Sequence, residues 1–240
     1  MTHSVKLSLV LLVRNEGENL KSLLPGLIST LDSLGSSFEI VVIDGASTDD
    51  SIAVARGFGC RVISQQGTGY GDAFQLGLQE SRGEMILTVD ADMSHPPDYV
   101  QALLDAMSDN DLIIASRYVH GGRYEMPRHR ALLSRFLSLI TRTLFHLPIK
   151  DCSSGFRLYR AAFFRGIELR ANNFDILIEV LVRGAQQGAR LTEVPFRYMN
   201  RRVGISKARV LQFIPGYLQT IARLKFRPPC RAMRTGDRFL

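Results

Sequence analysis

The first half of the chain alternates two hydrophobic periods. Leu7 to Val13 is a nearly continuous apolar run, the pattern of a strand buried on both faces. From Glu18 to Leu34 the apolar positions fall at helical spacing, and Glu39 to Ile43 returns to a strand that ends at Asp44-Gly45. Ser47-Thr48-Asp49-Asp50-Ser51 offers several N-caps for a following helix. A short strand over Arg61 to Ser64 leads into the glycine-rich loop Gly67-Thr68-Gly69-Tyr70-Gly71. A helix over Asp72 to Ser81 then precedes a strand at Met85 to Val89, and a helix over Pro97 to Met107 precedes one at Asp111 to Ser116.

This alternation predicts an α/β fold, a Rossmann-like, mostly parallel sheet with helices on both faces. Ligands of such sheets bind at the carboxyl ends of the strands. The polar residues that follow the strands are Arg14, Asn15 and Glu16, then Asp44, then Asp90 and Asp92, then Ser116 and Arg117. They are expected to line one cleft. The second half reads differently. Ala131 to Leu147 and Val210 to Arg227 are apolar at helical spacing and studded with arginines, and Phe174 to Gln187 predicts a helix in which Glu179 pairs with an arginine such as Arg157. One domain over residues 1–226 is expected, with a nucleotide-binding half (1–118), an acceptor half (119–226) and a basic tail (227–240).

Composition narrows the partners. Of 240 residues, 45% are hydrophobic and 22% charged, as in ordinary globular proteins, and the net charge of +7 suits an anionic partner. Three scattered cysteines form neither a disulfide framework nor a thiolate zinc site, which points to a reducing, cytoplasmic setting. No segment offers the roughly 20 apolar residues of a spanning helix. The two basic amphipathic stretches suit the plane of an anionic membrane surface, and equally a homomeric contact or a membrane-anchoring partner subunit. The expectation is a peripheral protein at the inner face of a membrane.

Asp90-Ala91-Asp92 is the sharpest chemical signal. Two carboxylates, two residues apart at a strand end, suit a hard cation such as Mg²⁺ or Mn²⁺, which prefers oxygen ligands and keeps positions open for phosphate. Asp44 and Glu16 are placed to meet a base or ribose. Asp49 reads as a helix cap, and His95 as loop structure. The glycine loop would let backbone approach a ligand closely.

The ordered motifs V-R-N-E (13–16), D-G-A-S-T-D-D (44–50), G-x-G-x-G (67–71), D-A-D-M-S-H-P-P (90–97), S-R-Y (116–118), S-G-F-R (154–157) and R-R-x-G-x-S-K (201–207) resemble the dolichol-phosphate mannosyltransferase branch of family 2 glycosyltransferases, over roughly residues 6 to 226. The resemblance implies a GT-A fold, a donor such as GDP-mannose or a UDP-sugar, and Mg²⁺ or Mn²⁺ held by Asp90 and Asp92. It places the donor base near Glu16 and Asp44, and a polyprenyl phosphate acceptor near Arg117, Arg201, Arg202, Ser206 and Lys207. Relatives usually carry a second acid where this chain has Gly45, and many carry Gln where it has Ser94. Donor identity and the metal shell are the properties those two positions bear on.

The chemistry agrees with such an acceptor. A departing nucleoside diphosphate needs its negative charge neutralised, and attack from the opposite face inverts the sugar carbon. A hydroxyl acceptor needs a carboxylate base. A phosphate monoester, with a second pKa of about 6, is already largely anionic at neutral pH. The rival within the family is a soluble hydroxyl acceptor with Asp151 as base. A dehydrogenase would need G-x-G-x-x-G after the first strand, where Arg14-Asn15-Glu16 stands. A nucleic-acid binder would leave Asp90 and Asp92 facing a like-charged backbone.

Overall fold

The computed structural model describes residues 5–200 and 210–226. In chain order the strands are β1 (Leu7–Val13), β2 (Phe38–Asp44), β3 (Arg61–Ser64), β4 (Met85–Asp90), β5 (Leu112–Ser116), β6 (Arg123–Tyr124), β7 (Arg157–Arg160), β8 (Leu191–Pro195) and β9 (Arg197–Tyr198). The helices are α1 (Gly17–Ser33), α2 (Ser51–Gly57), α3 (Tyr70–Glu80), α4 (Val100–Asp105), α5 (Arg128–Phe145), α6 (Ile176–Gln186) and α7 (Val210–Phe226). Seven strands form one sheet in the order β3-β2-β1-β4-β7-β5-β8, and β6 pairs with β9 in a short ribbon.

Period-two alternation sorts the core into two layers. Leu7, Leu9, Leu11 and Val13 of β1 face one side, where Leu20, Leu23, Leu24, Leu27 and Leu31 of α1 bury the helix's apolar stripe. Val10 faces the other side, among Phe74 of α3 and Ile178 and Leu181 of α6. Each fully buried leucine contributes about 2 kcal/mol of burial, which is what holds α1 on the sheet. Sequence periodicity located every helix described, and all the strands as far as β5.

The second half of the sheet departs from expectation. β7 runs antiparallel between β4 and β5, with Arg157 opposite Thr88 on one side and Ile114 on the other. The sequence Arg157-Leu158-Tyr159-Arg160 is short and flanked by arginines, so it carries no clear strand signal. β8 was likewise not apparent. Because β7 is reversed, the loop that precedes it, Asp151 to Gly155, enters at the end of the sheet where β4 and β5 finish. That reversal delivers a loop from the middle of the chain into the cleft.

Arg157 shows what the insertion requires. It is fully buried, and its Nε, Nη1 and Nη2 donate to the carbonyls of Ser154 (2.6 Å), Leu177 (2.8 Å) and Cys152 (2.8 Å). The expected pairing with Glu179 is not made; the guanidinium instead ties the loop before β7 to the start of α6. Replacing Arg157 with Met strands three buried acceptors, at about 1–3 kcal/mol for each that cannot relax. A loss of about 3 kcal/mol in urea unfolding is expected, and an unchanged midpoint would contradict this role.

Candidate active site

The cleft is built from the ends of β2, β1 and β4, which lie side by side with Asp44 opposite Val13 and Asp90 opposite Leu12. Three of the four non-glycine residues with positive φ sit in the loops leaving these strands: Ala46 (60°), Asn15 (53°) and Met93 (66°). Left-handed backbone at ordinary residues costs about 1–3 kcal/mol each and persists where surrounding contacts enforce it. Here the contacts are visible. Asn15 receives the amide of Thr48 on its Oδ1 (2.7 Å) and donates its own amide to Ser47 Oγ (2.9 Å). Asp44, 2% exposed, accepts from the Ser47 amide, and Glu16 Oε2 accepts from Asn19 Nδ2. Glu16 and Asp44 are thus brought to adjacent strand ends, as expected. Asp49 caps as expected too, accepting from the amides of Gly17 and Ser51 at the starts of α1 and α2.

At the end of β4, Asp90 stays partly exposed while Asp92 is 8% exposed and accepts the Ser94 amide on Oδ1 (3.1 Å). The backbone amide of Asp90 donates to His95 Nδ1 (3.0 Å), which fixes the proton of the neutral ring on Nε2, 3.6 Å from Asp90 Oδ2. His95 is stacked on Phe156, and burial lowers its pKa more than the nearby Asp90 and Asp92 raise it. It is a buried brace for the Asp-Ala-Asp loop. Among the described residues no three His, Cys, Asp or Glu side chains form a closed metal cage. Two carboxylates beside the buried hydroxyl of Ser94 fit a hard cation that completes its shell with phosphate oxygens.

Two neighbours of Asp90 were not apparent from sequence. A Cβ built on Gly155 would lie 3.0 Å from the Tyr70 hydroxyl and 3.4 Å from Asp90 Oδ1, so the S-G-F-R glycine and Tyr70 both crowd the carboxylate. Burial, then Asp90, holds the Tyr70 phenol well above its ordinary pKa. The glycine loop has a different role from the one expected. A Cβ at Gly69 or Gly71 would strike the carbonyl of Asn172 or Ala171 at 2.3 or 2.2 Å, and the Gly71 amide donates to Asn172 O (2.8 Å). On the side where a Cβ would stand, these glycines admit residues 171–172. At Gly45 a Cβ would press on Gln65 Oε1 at 3.2 Å, so Gln65 occupies the side that a side chain at position 45 would need.

Asp151 and Arg117 depart furthest from expectation. Asp151 is fully buried and accepts from Arg117 Nε (2.7 Å), Nη2 (2.7 Å) and the Arg117 amide (3.1 Å), and from the amides of Ser153 and Ser154. Burial would raise its pKa, but Arg117 outweighs that and holds the carboxyl below its ordinary value. A carboxylate so occupied cannot take a proton from an acceptor hydroxyl, so the assignment of Asp151 as base is withdrawn. Arg117, 9% exposed, also donates to Ser153 Oγ and lies over the rings of Tyr118 (5.0 Å) and Tyr198 (5.5 Å). It is a fixture of the cleft wall rather than a loose phosphate-binding cation. Arg201, Arg202, Ser206 and Lys207 lie outside the described residues.

The description "Glycosyl transferase family 2" matches residues 8–167, which include Glu16, Asp44, Asp90, Asp92, Arg117 and Asp151. The chain belongs to glycosyl transferase family 2. It is 34% identical over 231 residues to a dolichol-phosphate mannosyltransferase of Pyrococcus furiosus, covering 92% of this chain and 64% of that protein. It is 32% identical over 210 residues to a polyprenol monophosphomannose synthase of Mycolicibacterium smegmatis, covering 80% and 77%. The chain therefore spans somewhat less than two thirds of the Pyrococcus protein. Among solved structures, glucosyl-3-phosphoglycerate synthase of Mycobacterium tuberculosis, in complex with Mn²⁺, UDP and glucosyl-3-phosphoglycerate, superposes with a TM-score of 0.70 at 21% identity, covering 92% and 78%. That likeness establishes the GT-A fold for this family 2 member.

Replacing Asp151 with Asn leaves the Arg117 guanidinium buried without its counter-charge, a loss of about 3–5 kcal/mol. The pH dependence has a definite sign. A carboxyl with a depressed native pKa stabilises fully above its unfolded value, about 4, and loses that contribution as pH falls through the native value. Thermal melts of both proteins from roughly pH 3 to pH 7 should show the wild-type advantage intact at neutrality and shrinking below about pH 4. A constant difference across the range would assign the loss to something other than the ion pair.

Proposed function

We propose that this protein is an inverting glycosyltransferase that moves a sugar, mannose or glucose first, from a nucleoside diphosphate donor to a polyprenyl phosphate at a membrane surface. The observation that carries the reading is the division of labour among the carboxylates. Asp90 and Asp92 stand at a strand end in a form suited to a metal-bound diphosphate, while Asp151 is locked onto Arg117. A site whose candidate base is already engaged suits an acceptor that arrives as an anion. The names of the Pyrococcus and Mycolicibacterium relatives point to the same class of acceptor.

In this reading Asp44 and Glu16 hold the nucleoside, and Asp90 and Asp92 hold Mg²⁺ or Mn²⁺. When bound, the cation neutralises charge developing on the departing diphosphate. His95 fixes the loop that carries the two aspartates, so the carboxylates need little rearrangement on donor binding. The Asp151–Arg117 pair sets the wall along which the acceptor phosphate approaches, and Arg201, Arg202, Ser206 and Lys207 are proposed to hold that phosphate.

No helix among the described residues is long and apolar enough to cross a membrane. α5 offers another way to meet a lipid. Leu132 (67% exposed), Phe136 (58%) and Leu139 (53%) repeat at helical spacing along it. Arg128, Arg130, Arg135 and Arg142 lie on the same helix, which contains no acidic residue. An amphipathic basic helix of this kind lies in the plane of an anionic bilayer.

Two measurements test the reading. Nucleoside diphosphate release from GDP-mannose, UDP-glucose and UDP-N-acetylglucosamine should rise for one donor when a short polyprenyl phosphate is added with Mg²⁺. Asp90→Ala with Asp92→Ala should lower turnover at least about 100-fold, the scale of losing transition-state charge stabilisation. Release stimulated by a soluble hydroxyl compound and not by the lipid would overturn the acceptor assignment. Separately, the protein should sediment with vesicles containing anionic phospholipid and not with purely zwitterionic ones, and Leu132→Ser with Phe136→Ser should abolish that binding. Equal sedimentation of the double variant would remove α5 from the membrane contact.

A further inference from the structure

Glu179 is fully buried in α6, outside the cleft, and the proposed chemistry does not use it. Its two oxygens face in different directions. Oε2 accepts from the backbone amides of Arg170 (2.8 Å) and Ala171 (2.7 Å), the start of the irregular segment that leads into α6. Oε1 is paired with Arg223 Nη2 of α7 (3.1 Å), with Arg183 Nη2 further away (3.8 Å).

The segment gripped by Oε2 is the one the glycine loop closes on. Ala171 O and Asn172 O are the atoms that exclude any side chain at Gly71 and Gly69, and Asn172 O receives the Gly71 amide. Two residues on, Phe174 stacks on Tyr70 with ring centroids 4.4 Å apart. Tyr70 in turn presents its hydroxyl toward the space between Gly155 and Asp90. An unbroken set of contacts thus runs from α7, through one carboxylate and one short backbone segment, to the side of the metal-binding aspartate.

We infer that Glu179 is a positioning residue for the donor site, holding the 170–174 segment against the glycine loop and Tyr70, with Arg223 of α7 as the cation that keeps its carboxylate in place. The C-terminal helix is then part of what makes the donor side competent, although none of its described residues lines the cleft. Removing Arg223 leaves a buried carboxylate without its nearest cation, a strongly unfavourable state that is relieved when the side chain turns toward water, which loosens its hold on the two amides. The segment, Phe174 and Tyr70 shift with it. The inference rests on the reading that Asp90 and Asp92 hold the donor's cation, but its first test is independent of any ligand.

Three variants of the full chain separate this joint from general loosening of α7. Arg223→Met removes the cation. Tyr217→Phe removes a different tie of α7, the hydrogen bond between the Tyr217 hydroxyl and Thr141 Oγ1 of α5 (2.6 Å), and leaves Arg223 and Glu179 in place. Arg223→Met with Glu179→Gln removes both charges while the amide oxygen can still accept from Arg170 and Ala171. Hydrogen exchange in the ligand-free protein should rise at residues 69–73 and 170–174 in Arg223→Met, stay near wild type there in Tyr217→Phe, and return toward wild type in the double variant. Calorimetric binding of UDP and of GDP with Mg²⁺ should follow the same order, weakening about fivefold or more in Arg223→Met alone. Unchanged exchange at 69–73 in Arg223→Met, or equal loosening by Tyr217→Phe, would overturn the inference. Nucleotide binding absent from the wild-type protein would count against the proposed function, and the exchange pattern would still decide the joint.

Discussion

The arrangement of the cleft depends on one reversal of chain direction. A wholly parallel sheet would bring only loops that follow strands to its carboxyl edge. β7 runs against its neighbours β4 and β5, so the segment before it arrives at that edge as well. This brings Gly155 against Asp90, Asp151 under Arg117, and Arg157 into the space beneath. The reversed strand needs internal anchorage, which the three carbonyl bonds of Arg157 supply. The first and second halves of the chain are joined at the sheet itself, not by a linker.

Two carboxylates carry their charge where water is excluded. Asp151 and Arg117 neutralise each other in the cleft wall, and Glu179 with Arg223 and Arg183 does so behind the glycine loop. Buried ion pairs contribute little net stability because desolvation offsets attraction, but breaking one partner is costly. Their value here is geometric. Each carboxylate uses its remaining oxygen capacity on backbone amides, so an irregular segment is fixed at a defined distance from a regular element. Asp90, by contrast, is left partly exposed at a strand end.

The part of the fold that repeats a local period was legible in the sequence. β1 to β5 and their helices announce themselves by apolar spacing, and the polar residues that follow them do gather at one edge. Asp49 as a cap and His95 as loop structure were readable for the same reason, since caps and loop braces act over a few residues. What escaped is non-local. Asp151 is open to reading as a base for a hydroxyl acceptor because its partner, Arg117, lies 34 positions earlier in the chain. Glu179 is expected from sequence to pair with an arginine such as Arg157, whereas its nearest cation, Arg223, comes from α7. Glycines at 69 and 71 suggested a ligand, and only the fold shows that another stretch of backbone fills that space.

Arg157 has a consequence beyond anchorage. Its guanidinium is surrounded by peptide oxygens, much as a dehydrated potassium ion would be in a carbonyl cage. Unlike such an ion it is covalently tethered, so no chelator extracts it and no competing salt exchanges for it. The scaffold next to the reactive carboxylates therefore carries a permanent cation of its own. An architecture anchored in this way does not depend on any exchangeable ion.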